Sequence, residues 1–467
     1  MLISPKFMWA SCLAAFSLTL FLVIYTSTQN MSIQFQLSSK KQQHQQVPLS
    51  GMDRDPEEKY ITFLPHSGLH NQRIELVNAA VLAKALNRTL ILPQINIGKG
   101  IYWHEGTMSE FRFNHCPNNY KTLEHCSDFK RYLPVSVESI FDLTAFRAAG
   151  IRIIQRNDMT SNYFPDVWGI PYDDASQIYR LQDDTRHSYR VYDTYENQDS
   201  IRTFRYRVDM EDLKKLDEKI VMFGSLHYTL RLAIQDPYLK WLLEYLREEF
   251  CISHPIVTEQ ALKVVSLLGG PEEFIGIHLR QGDGYFVDMI QETLDTLRST
   301  LETADFNTHD QASSSEIVND ASEDRYLQEI TNSETVRERL FTCQTVQPNV
   351  KHSHRLRLIY MATDTPQPRQ SLQSLYEEFP CLFSLSDFPE ILDEALTMQP
   401  MLTGNTQVDA EMGFYGVKIA PLLIPMIDAE ITSHGSHFIG TRKSTFSQYI
   451  NLRHNRFQSM YHPKTIA

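Results

Sequence analysis

Apolar residues along this chain come in short runs that stop abruptly at polar, glycine-bearing segments, and the spacing between runs alternates between strand-like and helix-like. KYITFLP (59–65) and TLILP (89–93) read as strands. Between them Ile74, Val77, Ala80, Val81, Lys84 and Ala85 recur at helical spacing after the loop HSGLHNQR (66–73), so the unit is strand, loop, helix, strand. KIVMFGSLHYTLRL (219–232) adds a strand with a glycine loop and closes a first domain. Residues 233–268 read mostly helical, with Trp241, Leu242, Leu243, Tyr245 and Leu246 as a dense apolar face. Three strand-then-loop stretches follow: FIGIHLRQGDGYF (274–286), RLRLIYMATDTP (355–366) and SHFIGTRKSTFSQYI (436–450). Strands alternating with helices predict an α/β protein with doubly wound sheets, which bind ligands beyond the carboxyl ends of their strands.

The amino-terminal pattern is different. Residues 7–25 carry no charge and would span roughly 29 Å as a helix, about the thickness of a bilayer core. An uncleaved anchor is favoured over a signal peptide, because the run exceeds the ~7–15 residues of a cleavable apolar region. Only Lys6 precedes it while Lys40 and Lys41 follow, and the short tail 1–6 is read as cytoplasmic. Residues 26–56 are polar and glutamine-rich, a flexible stem. The body then divides near 240 into domains 57–240 and 241–467, the second interrupted at about 303–325 by an acidic stretch read as a disordered insertion.

Length and charge narrow the function. At 467 residues the chain is long enough for two full cores. Its net charge of −13 and the lack of a basic stripe exclude a nucleic-acid surface. Five cysteines follow the stem, and in an oxidising lumen Cys116 and Cys126 more often join as a disulfide than bind zinc with His115 and His125. Of Cys251, Cys343 and Cys381, one stays unpaired if the others pair. Asn87-Arg88-Thr89 is a glycosylation sequon at a helix-to-strand junction.

The chemistry gathers at strand ends. Arg280 follows an apolar run and precedes Gly282-Asp283-Gly284; its planar, permanently charged fork suits an anion, the alternative being an ion pair with Asp283 across the turn. Gly68, Asn71 and Arg73 open the first helix, where free N–H groups and the helix dipole favour an anionic ligand, unless Asn71 simply caps that helix. Asp364 and Ser444-Thr445-Phe446 also fall at strand ends and could equally cap the helices that follow. His66 and His70 are four apart, but Pro65 and Gly68 oppose a helix there, so no metal pair is expected. The only Asp-x-Asp, Asp53-Arg54-Asp55, lies in the stem and reads as solvated linker.

Taken in order, HSGLHNQR, HLRQGD, YMATD and GTRKSTF resemble the GDP-fucose protein O-fucosyltransferase-like family and its α1,2 and α1,6 fucosyltransferase relatives, over roughly Tyr60 to Ile450. The resemblance implies two Rossmann-like domains of GT-B type, the second on the nucleotide-sugar side, and inverting transfer from GDP-fucose to a protein or glycan acceptor without a required metal or other cofactor. It further implies that Arg280 clamps the donor pyrophosphate with Asn71 as its catalytic partner. His278, Asp283, Asp364, Ser444, Thr445, Phe446 and Gly68 are then donor-binding, with Asp364 facing the guanine. Anchor, stem and body together match the layout of a single-pass type II protein of the Golgi or endoplasmic reticulum membrane. His70 departs from the family's first motif. No carboxylate occupies the position of some relatives' base, leaving Glu75, Asp283 and His66 as candidates. The competing reading is a non-catalytic lumenal adaptor: the missing base favours it, whereas Arg280 and the Ser/Thr loop weigh against it.

Overall fold

The structure is a computed structural model. It describes residues 57–462 except 99, 101–102, 120–121, 182, 283, 304–319, 347–353 and 398–419. The expected anchor and stem, the Asp53-Arg54-Asp55 sequence and Asp283 lie outside the described residues. No helix among those described is long and apolar enough to cross a membrane.

Two parallel sheets organise the chain. The first uses β1 (Tyr60–Phe63), β2 (Thr89–Leu92), β3 (Ile153–Gln155), β4 (Ile178–Leu181) and β5 (Ile220–Phe223) in the order β3-β2-β1-β5-β4. The second uses β6 (Ile275–Leu279), β7 (Ile359–Thr363), β8 (Leu382–Phe383) and β9 (His437–Gly440) in the order β8-β7-β6-β9. Central strands of such sheets are covered on both faces, which is why they appear in sequence as unbroken apolar runs. Tyr60 pairs with Ile220 and Thr89, and Ile275 with Ile359 and His437. A three-stranded parallel sheet (Tyr189–Tyr192, Tyr206–Asp209, Leu232–Ala233) and an antiparallel pair (Ile95–Gly98, Tyr132–Val135) complete the first half.

In each large sheet the chain winds outward from its first strand on one side and then crosses to the other. The switch points therefore fall between β1 and β5, and between β6 and β9. Crevices for ligands form there, at the carboxyl ends.

Helix α1 (Leu69–Ala85) packs against β1 and β2 and against α2 (Pro237–Glu249), while α3 (Pro255–Leu267) packs against α6 (Ala420–Ser433). Residue 240, where the sequence reading divides the chain, lies within α2. Asp236, which accepts the Leu239 amide at 2.8 Å, and Pro237 start α2 and supply the local break in pattern. The last helix, α7 (Thr445–Tyr461), returns to pack on α1 and α2.

Two expectations need correction or completion. Residues 320–325, read as part of a disordered insertion, are the first turns of α4 (Asp320–Thr331), which packs on α5 (Val336–Val346). The helix turns its Ile330 fully into the core. Cys116 joins Cys126, Cys343 joins Cys381, and Cys251 remains free and buried. Asn87 is exposed between α1 and β2.

Candidate functional site

The switch point of the second sheet is built by β6, β9 and the start of α7. Thr441 joins them. Its backbone amide and its hydroxyl both donate to the His278 carbonyl, at 3.1 and 2.8 Å, and its Oγ1 accepts the Arg280 amide at 3.0 Å. His278 is buried, with Nδ1 2.6 Å from Ser447 Oγ and its ring against Phe446, centroids 4.6 Å apart. Burial, and then the Arg280 charge, lower its pKa to about 3, so the imidazole is neutral near pH 7.

Arg280 is half-buried at the strand end, its guanidinium carbon 5.2 Å from the Phe286 ring centroid. Ser444 is the N-cap of α7, accepting the Ser447 amide at 3.2 Å, and Thr445 opens the helix. Of the two readings open for Ser444, the cap is the contact present. A permanent cation and a helix amino terminus thus meet at one strand end, an arrangement suited to a phosphate.

Asp364 is exposed and spends both carboxylate oxygens on the loop after Arg280. Oδ1 accepts the Gln281 amide at 2.8 Å and Oδ2 the Gly282 amide at 3.0 Å. Its contacts fix the loop that carries Arg280. Gly282 is required for this approach, because a Cβ there would lie 2.6 Å from Asp364 Oδ2.

Helix α1 supplies the facing wall. It begins at Leu69 with Gly68 as N-cap, so Asn71 lies within the first turn and does not cap the helix. The Asn71 Oδ1 is buried without a hydrogen-bond partner, an acceptor whose lost hydration a donor group would restore. A Cβ on Gly68 would meet nothing within 4 Å, so the helix start borders open space. His70 stacks on Tyr449, centroids 4.5 Å apart, and meets Phe446 edge-on at 4.8 Å. Arg73 is not available to a ligand: it donates to the Phe250 carbonyl at 2.7 Å and to the Arg247 carbonyl, closing the end of α2.

Sequence reasoning missed Thr441, Ser447, Gln72 and Ser67. Gln72 Nε2 donates to the Ser67 carbonyl at 3.1 Å and to Asn96 at 2.9 Å, fixing the β1–α1 loop. Thr441 and Ser447 stood inside the quoted GTRKSTF stretch or beside it, and the apolar pattern gives small polar residues no signal. Of the base candidates, Glu75 and His66 are both buried and adjoin each other. Among the described residues, Cys116, His125 and Cys126 are the group whose ligand atoms cluster closely enough for a metal, and the two sulfurs are bonded to each other.

Comparison with solved structures finds POFUT1 in complex with GDP-fucose, at 14% identity over 86% of this chain and 95% of that one, with a TM-score of 0.36. The fucosyltransferase NodZ from Bradyrhizobium matches at 12% identity over 84% of this chain and 93% of that one, TM-score 0.35. No curated protein matches. The sequence model for GDP-fucose protein O-fucosyltransferase matches residues 60–457, the greater part of the chain, and the protein therefore belongs to that family.

Proposed function

We propose that this protein is an inverting, metal-independent glycosyltransferase of GT-B type that moves fucose from GDP-fucose to a protein or glycan hydroxyl. The observation that carries this reading is the meeting of Arg280, neutral His278 and the capped start of α7 at one switch point, in a chain of this family. An acceptor oxygen attacks the sugar C1 from the face opposite the phosphate; the bond from C1 to the phosphate oxygen breaks, and GDP leaves with the electron pair. Charge grows on the departing pyrophosphate, so fixed donors aimed there lower the barrier most. Arg280 supplies a two-pronged cation, the start of α7 supplies backbone amides, and Asp364 holds the Arg280 loop in place. Asn71 and Gly68 border the same space from α1.

The setting is proposed from the amino-terminal sequence: an anchor at 7–25 and a stem at 26–56 would hold the body in the lumen of the Golgi or endoplasmic reticulum as a type II protein. Two disulfides suit such an oxidising compartment.

The test is Arg280→Lys and Arg280→Ala, assayed for GDP release from GDP-fucose alongside thermal melts. Lysine keeps the charge and loses the fork; turnover should drop by ~10²–10³, and further for alanine. A folded Arg280→Ala protein with normal donor turnover overturns the reading. Metal independence has its own check: chelator treatment should leave GDP affinity unchanged, and affinity that falls and returns with Mn²⁺ or Mg²⁺ would exclude it.

A further inference from the structure

At the other switch point, between β1 and β5, a line of close polar contacts runs inward from the start of α1. Ser67 Oγ lies 2.8 Å from His66 Nδ1, and His66 Nε2 lies 2.8 Å from Glu75 Oε1. The hydrogen bond of that Nε2 goes to Ser225 Oγ, just after β5, at 2.7 Å, while Glu75 Oε1 has no hydrogen-bond partner and Glu75 Oε2 accepts the His66 amide at 3.2 Å. Glu75 is wholly buried and His66 nearly so, whereas Ser67 is partly exposed beside Gly68 and the open space at the helix start. The line therefore has one end in the protein interior and the other at the candidate site.

Ser67 is held in an uncommon conformation. Its φ of 67° is left-handed, a conformation a serine adopts only at an energetic cost. The surroundings enforce it: Gln72 grips its carbonyl, and Gly100 approaches so closely that a Cβ there would lie 2.9 Å from the Ser67 carbonyl carbon. Strain of this kind persists where the position of a side chain matters.

We propose that Ser67, His66 and Glu75 form the proton-accepting line of the transferase, with Ser67 facing the acceptor hydroxyl. This rests on the transferase reading above and supplies the base that reading lacks. As the acceptor oxygen bonds to the sugar C1 and GDP departs, the acceptor proton passes to Ser67 Oγ. The serine's own proton passes to His66 Nδ1, and the His66 Nε2 proton leaves its Ser225 partner for the unpartnered Glu75 Oε1 2.8 Å away. Serine ends unchanged, histidine ends neutral in its other tautomer, and Glu75 holds the proton until water removes it.

The electrostatics suit these parts. Burial raises the Glu75 carboxyl well above the usual carboxylate range, which makes its ionised form a strong base. Burial, followed by Arg231 and Arg186, lowers His66 to about 3, so the ring passes a proton and does not store one. The other groups facing the line are His227, whose ring is 5.4 Å from that of His66, and Asp183, raised to about 7 by burial. Activity needs ionised Glu75, so the rate should rise with pH along a limb lying above ordinary carboxylate values.

The experiment uses the purified full-length protein in detergent, GDP-fucose as donor and water as the acceptor probe, with GDP affinity measured separately by calorimetry. Ser67→Ala and Glu75→Gln should keep GDP affinity within about 2-fold, lower fucose release by ~10²-fold or more, and flatten the pH–rate limb. Asp183→Asn should leave that limb in place. Ser67→Ala, being partly exposed, guards against a folding defect in the buried glutamate variant. Unchanged turnover and an unchanged limb in folded Ser67→Ala overturn the line. Failure of the wild-type protein to bind GDP would instead overturn the donor reading on which it rests.

Discussion

Gly276 and Gly282 are six positions apart in one motif, yet a methyl group should have different effects at the two sites. In β6, a Cβ on Gly276 would sit 2.2 Å from the Thr432 carbonyl oxygen of α6, and backbone atoms cannot swing aside. Gly276→Ala should cost at least ~1–3 kcal/mol, read as a lower denaturation midpoint; an unchanged midpoint would contradict the packing. At Gly282 the obstacle is the Asp364 side chain, which can rotate. Gly282→Ala should leave stability nearly intact while releasing the Arg280 loop, so GDP affinity falls without a change in melting. Asp428 offers a test by pH: it accepts from Tyr360 at 2.5 Å, and burial raises it from 3.8 to about 7. The unfolded carboxyl ionises first, so its contribution to folding is complete below pH 3.8 and is lost as pH rises to about 7. The stability of Asp428→Asn relative to wild type should therefore climb through that window and level off above it. At this scale sequence was an uneven guide. A glycine-rich turn after Arg280 was visible, but the need for Gly276 depends on Thr432, far along the chain.

Helices and strands were more legible than their ends. Parallel strands buried on both faces announce themselves as apolar runs, and β1, β2, β5, β6, β7 and β9 all coincide with runs visible in the sequence. The start of α1 did not. Its periodic apolar residues begin at Ile74, whereas the helix begins at Leu69, because His70, Gln72 and Arg73 are polar residues buried against partners elsewhere. Periodicity counts such residues as surface. Cysteine arithmetic left one thiol unpaired, but only the fold brings Cys343 at the inner face of α5 to Cys381, next to β8. That bond closes a loop of sequence separation 38, for which chain entropy predicts stabilisation of about 2–4 kcal/mol. The double variant Cys343→Ser/Cys381→Ser should lose about that much in a denaturant titration. A loss confined to a few tenths would mean that the packing of α4 and α5 already holds the segment.

Across the whole molecule the decisive element is α7, which starts at the candidate donor site and then packs on the first half. Tyr449 carries the junction: its hydroxyl accepts the Ile252 amide at 3.0 Å, its ring stacks on His70, and the Arg73 guanidinium lies 5.2 Å from its centroid. Nothing in the sequence around Tyr449 signals partners hundreds of positions away in the chain, so the alignment of the two halves was not legible. Phenylalanine at 449 keeps the ring and strands a buried N–H; truncation to alanine also removes the ring from between the halves. Tyr449→Phe should cost about 1–3 kcal/mol, and Tyr449→Ala about 3–5 kcal/mol. The two variants should separate in function as well. His70, Phe446 and His278 form a continuous line of ring contacts from α1 to β6, and Tyr449 stacks on its His70 end. Phenylalanine preserves that support, so GDP affinity should stay near wild type; alanine withdraws it, and affinity should fall together with stability. Adding His70→Ala to Tyr449→Ala should then cost less than the sum of the two single changes, because the second substitution removes a contact already lost. Strict additivity in both melting and GDP affinity would show that these ring contacts do not couple the halves.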